Sequence, residues 1–65
     1  MNDSLRLNED LTVEFFEYSE FITCVEVFFR GQNYNSFCSL KDQVQEWRED
    51  TEDLISLCIK HVNSN

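Results

Sequence analysis

The sequence predicts an α+β domain: an antiparallel sheet of three to four strands carrying one amphipathic helix on one face, in the order β-β-(β)-α-β. Three observations predict it. Two runs, "LTVEFFEY" from Leu11 and "FITCVEVFF" from Phe21, alternate with a period of two. "LKDQVQEW" spaces Leu40, Val44 and Trp47 by four and then three. The only glycine, Gly31, stands between the second run and the helical one, where a reversal with positive φ is cheap. So short a chain has room for one small core, so residues 1–65 are expected to form a single domain, with 1–8 and 63–65 weakly ordered.

Each element has its own local justification. "MNDSLRLNED" is polar and reads mainly as a tail, although Leu5 and Leu7 alternate and could add an edge strand. The first strand places Leu11, Val13 and Phe15 on one face and Thr12, Glu14 and Phe16 on the other. The second, rich in β-branched and aromatic residues, opposes Thr23, Val25, Val27 and Phe29 to Ile22, Cys24, Glu26 and Phe28. The polar "YSE" between them suggests a hairpin, "RGQN" a second reversal, and "YNSF" a short third strand. Ser39, three residues before Asp42, has the spacing of a helix N-cap. With about 100° per residue, Leu40, Val44 and Trp47 fall within roughly 60° of one another, and Asp42, Glu46, Glu49 and Asp50 fall on the opposite side.

"DLISLCIKHV" admits two readings. Ile55, Leu57 and Ile59 alternate as in a strand, whereas Thr51 with two following acids, and Lys60 and His61 near the end, would serve as helix start and stop signals. The alternation and β-branched content favour a final strand over residues 54–62.

Charge is the outstanding property. Thirteen acids against five bases give a net charge of -8, and no Lys or Arg occurs between Leu7 and Phe29. Such a surface repels phosphate and anionic lipid, so the expected partner is a basic protein surface, with no direct nucleic acid and no membrane. Ordinary solvated helices mix Lys with Glu at four-residue spacing. Here Asp42, Glu46, Glu49 and Asp50 stand together, and carboxylates one turn apart, about 5.4 Å along the axis, could occupy a groove built for phosphates. Glu14 and Glu26 could extend that surface or make a second one. Phe16, Tyr18 and Phe28 share their hairpin face, an acid-aromatic combination suited to a protein partner or a homodimer.

Cys24, Cys38 and Cys58 are an odd number at wide spacings, and the amino-terminal residues carry neither the basic stretch nor the apolar run of a signal peptide. They are expected as buried or half-buried thiols in a reducing cytoplasm, that of a bacterial host cell. Together with His61 they lack the paired spacing of a structural zinc site. No glycine-rich phosphate loop or nucleophile motif is present, so no catalytic residue, metal or cofactor is expected, and the chain is read as a non-enzyme.

The stretch "SLKDQVQEWREDTEDLISLCIKHV", Ser39 to Val62, resembles the helix-then-strand half of the phage uracil-DNA glycosylase inhibitors. More broadly, the chain is similar in class to the small acidic inhibitors of phages and mobile elements, anti-CRISPR proteins included. The resemblance implies an inhibitor that occludes the nucleic-acid-binding surface of a bacterial protein, a CRISPR effector or a DNA repair enzyme. Three readings therefore stand as expectations: an anti-CRISPR protein, a glycosylase inhibitor, and a dimerising or adaptor module whose acids serve solubility alone.

Overall fold

In the computed structural model, which describes residues 3–64, the two alternating runs form the centre of a four-stranded antiparallel sheet. Strands β1 (Asp3–Arg6), β2 (Leu11–Glu17), β3 (Ile22–Phe29) and β4 (Gln32–Leu40) lie side by side in chain order, followed by helices α1 (Lys41–Glu49) and α2 (Thr51–Asn63). Val13 pairs with Val27 and Phe15 with Val25. With alternating side chains, Leu11, Val13, Phe15, Val25 and Val27 share one face.

Both helices pack on that face. Val44 of α1, with Leu54 and Cys58 of α2, joins the five sheet residues in one buried cluster. Phe37 of β4 ties the layers together: its ring meets Trp47 edge-on at 5.9 Å and stacks on His61 at 4.6 Å. Burial pushes the Cys58 thiol up from 9.0 to about 11, because a thiolate there would be taken out of water.

The β3–β4 connection is a two-residue loop. Phe29 pairs with Gln32, and Arg30 and Gly31 both have positive φ, 52° and 80°, the combination of a type I′ hairpin turn. Arg30 tolerates this backbone with several contacts: its amide donates to the Asp10 carbonyl at 2.7 Å, and its guanidinium pairs with the Asp10 carboxylate and lies over the Phe29 ring.

Several sequence expectations are corrected. Residues 54–62, expected as a strand, are helical. Asp50 caps α2 by accepting from the Glu52 amide, Glu52 and Asp53 occupy the first turn, and Lys60 and His61 the last, each charge complementing the helix dipole. The residues buried most deeply are Leu54 and Cys58, four apart, while Ile59 of the apparent alternation is exposed. β4 has nine residues rather than the few of "YNSF". Glu26 pairs with Ser36 and Phe28 with Asn33, so Tyr34 and Asn35 together face Val27. This bulge lets Tyr34 and Phe37, three apart, both reach the helix side.

Ser39 is a strand residue and caps nothing. Leu40 takes the N-cap position of α1 without a side-chain bond and is 60% exposed instead of packing with Val44. At the amino terminus, Asp3–Arg6 form the edge strand that the sequence allowed as an alternative to a tail; the expectation for Met1, Asn2 and Asn65 lies outside the described residues. Finally, Cys24 and Cys38, expected as thiols, are directly opposite across β3 and β4 and joined in a disulfide, leaving Cys58 as the free cysteine among the described residues. Disulfides persist mainly in oxidising compartments, so this bond pulls against the expected reducing cytoplasm. Among the described residues, no helix is long and apolar enough to cross a membrane.

Candidate functional site

With both helices on the valine face, nothing among the described residues covers the other side of the sheet. The register sets its rows: Thr12 opposite Phe28, Glu14 opposite Glu26, and Phe16 opposite Cys24. Two glutamates thus stand side by side at the centre, with Phe28 and Phe16 diagonally at the corners, all four partly exposed. Directly opposed like charges are unfavourable in a sheet. Arg6, opposite Thr12 on β1, is turned away, its guanidinium donating to the Asn8 and Glu9 carbonyls.

The charge on α1 forms a separate surface. Asp42, Glu46 and Glu49 are exposed along the helix; only Glu46 has a side-chain hydrogen bond among them, a long one from Gln43 at 3.4 Å. Asp50, expected beside them, has left the helix to cap α2, so its carboxylate serves the fold. The sheet lies between this stripe and the Glu14–Glu26 pair. The eight expected binding residues therefore divide into an open-face group (Glu14, Glu26, Phe16, Phe28), a helical group (Asp42, Glu46, Glu49), and Asp50 as a structural cap.

Among the described residues, three of the thirteen acids are ion-paired: Asp10 with Arg30, Glu17 with Lys41, and Asp3 with Arg48. The other ten have no cationic partner among the described residues. Arg48 also lies over the Phe15 ring, 4.5 Å from its centroid. A cleft of about 530 Å³ beneath β2 includes Lys41 and Arg48 in its lining, but each already holds a carboxylate. No group of three His, Cys, Asp or Glu is placed to hold a metal ion among the described residues. The Cys/His set considered from sequence is not assembled: two of its thiols form the disulfide and Cys58 is fully buried.

No protein-family model matches the chain, and neither a curated protein nor a solved structure shows significant similarity to it. What the molecule offers a partner must therefore be read from its own surface.

Sequence reasoning named Tyr18 but missed a second apolar spot. Tyr18, Phe21 and Leu40 are 74%, 69% and 60% exposed, and Phe21 and Leu40 line a small cleft with Glu20, Lys41 and Asp42. The β2–β3 turn is fixed there, because the Lys41 amide donates to the Phe21 carbonyl at 3.0 Å and the Phe21 amide to the Ser19 hydroxyl. The available signal was Phe21 itself, an aromatic directly after the polar turn and outside the strand register.

Proposed function

We propose that the protein is a non-enzymatic inhibitor that enters the basic nucleic-acid-binding channel of a bacterial protein, with a CRISPR effector as the favoured kind of target. The observation that carries this reading is the Glu14–Glu26 pair, set directly opposite on an uncovered sheet face between Phe16 and Phe28. A lysine or arginine placed there would relieve the repulsion, gain charge-assisted hydrogen bonds and stack on an aromatic ring. The Asp42, Glu46 and Glu49 stripe supports it from the other side of the molecule. A channel that grips a duplex presents cations on more than one wall, and a wedge with acids on both faces suits such a space.

Inhibition would be steric and electrostatic: carboxylates take the cations that otherwise hold phosphate, and the phenylalanines supply desolvated contact area. The test is affinity capture from nuclease-treated bacterial lysate, with and without reductant, using wild type, Glu14→Gln/Glu26→Gln, and Glu46→Gln/Glu49→Gln as baits. Capture of a nucleic-acid-binding protein by wild type, released by salt and by added DNA or RNA and lost with either double variant, is the expected result. Equal capture by all three baits refutes it.

A second reading, an adaptor module whose acids serve solubility, is favoured by one observation, the exposed Phe21 and Leu40 that line one small cleft. It predicts binding that is insensitive to salt and abolished by Phe21→Ser.

A further inference from the structure

The two edges of the sheet are unequally protected. β1 has four residues with Asp3 and Arg6 at its ends, and Arg48 reaches Asp3 at 3.5 Å. β4, with nine residues, is the longest strand, contains no Asp, Glu, Lys, Arg or Pro, and among the described residues pairs in the sheet with β3 alone. A long uncharged edge presents a row of backbone donors and acceptors that templates another strand; proteins usually blunt such edges with charge, proline or brevity. The bulge at Tyr34 and Asn35 disturbs one end of β4, whereas Ser36–Leu40 pair in regular register with β3. Ser36, Cys38 and Leu40 are exposed. The Cys24–Cys38 disulfide fastens this stretch to its neighbour, so it is already ordered before any association.

We infer that the Ser36–Leu40 edge pairs antiparallel with the same edge of a second copy of the chain, joining two four-stranded sheets into one. Charge selects this occupant. In a chain of net charge -8, this stretch carries no ionised side chain, so two copies meet there without opposing carboxylates. Apposing the open faces would instead drive Glu14 and Glu26 of each copy against those of the other. Pairing a strand with itself is also the self-complementary, two-fold arrangement that closes as a dimer. The open face stays free in such a dimer, so one assembly presents two copies of the acid-aromatic group. An edge contact is small beside the roughly 1,200–2,000 Å² of stable interfaces, so the dimer is weak, and salt strengthens it by screening the charge on each copy.

Sedimentation equilibrium from micromolar to millimolar protein, at low and high salt, tests the proposal alongside backbone amide NMR over the same range. The expected result is a mass that rises from 7.8 kDa toward twice that value, sooner in high salt, with concentration-dependent shifts concentrated in Ser36–Leu40. Ser36→Lys sits opposite Glu26, which favours the monomer fold, and places a like charge on each approaching edge. It should leave the circular dichroism spectrum unchanged and hold the protein monomeric at the highest concentration. A monomer throughout, self-association mapped to the Phe16–Phe28 face, or a dimer indifferent to Ser36→Lys each overturns the proposal. None of these outcomes touches the capture experiment, so the two ideas fail separately.

Discussion

Replacing Glu26 by lysine should make the protein more stable and less able to bind. Directly opposed residues in an antiparallel pair have Cβ atoms about 5 Å apart, and Glu26 is so placed against Glu14. Two like unit charges at about 5 Å in water repel by about 0.8 kcal/mol, and physiological salt, with a screening length of about 8 Å, roughly halves that. Reversing one sign removes the repulsion and adds an equal attraction, about 0.8 kcal/mol in all, while Glu26→Gln gains about half as much. For a chain of this size that corresponds to a rise of about 3–6 °C in Tm. Urea unfolding followed by Trp47 fluorescence measures it as a shift in midpoint at unchanged slope. In 1 M salt, where the screening length falls to about 3 Å, the gain should shrink to about 0.3 kcal/mol. Refutation is direct: a variant no more stable than wild type at low salt, or a gain that salt leaves unchanged, means the two carboxylates do not oppose each other. The same variant should fail to capture the target.

Four further outcomes follow from the packing. The Cys58 thiol, raised from 9.0 to about 11 by burial, holds its proton in the folded chain over a range where the unfolded chain has lost it, so stability is full below pH 9 and falls as pH rises from about 9 to 11. The loss is up to about 3 kcal/mol, and should be absent from a urea-midpoint series on Cys58→Val. Reducing the Cys24–Cys38 disulfide, whose sequence separation is 14, should cost about 3 kcal/mol; alkylation under denaturing conditions should label one cysteine before reduction and three after it. Gly31→Ala should cost about 1 kcal/mol in thermal melts, from backbone alone, because a Cβ at that position meets no atom within 4 Å. Asp50→Ala should lower stability by about 0.5–1 kcal/mol through loss of the α2 cap while leaving target capture intact, the reverse of Glu46→Gln/Glu49→Gln.

How much was legible depended on whether one pattern had a rival. β2 and β3 were readable because seven or eight residues alternate, with Leu11, Val13, Phe15, Val25 and Val27 on one face and Thr12, Glu14 and Glu26 on the other. In α2 the sequence supports two periods at once: Ile55, Leu57 and Ile59 alternate, yet Leu54, Ile55, Cys58 and Val62 also make a helical stripe. The decision lies at the ends, where Asp50 and the flanking charges specify a helix whatever the middle allows. β4 was read short because its bulge breaks the alternation, bringing Tyr34 and Phe37 to the same side at a spacing that looks irregular in one dimension. The disulfide needed the register of β3 on β4, which no local signal carries. Of the candidate site, the acids of α1 and the Phe16–Phe28 face were visible as separate periodicities. That they occupy opposite sides of the sheet, and that Asp50 belongs to the fold, follows only from where the helices pack.

The second helix is also what leaves the acid-aromatic face open. Had residues 54–62 added a fifth strand, α1 alone would have covered the sheet. With α2 beside α1, both apolar helix faces are spent on the valine side, and no element among the described residues remains to shield Phe16 and Phe28. Natural sequences tend to make local choices that agree with the global fold, and disagreements concentrate where function requires them. Solubility needs acids somewhere on the surface; it does not need two of them directly opposed across a strand pair, with the nearby arginine bonded to a turn instead. A serine or threonine at either position would keep the strand and remove the repulsion. Under the proposed function the pair awaits a cation from outside, and the Glu26→Lys variant, by supplying that cation from within, should stabilise the fold and silence the surface together.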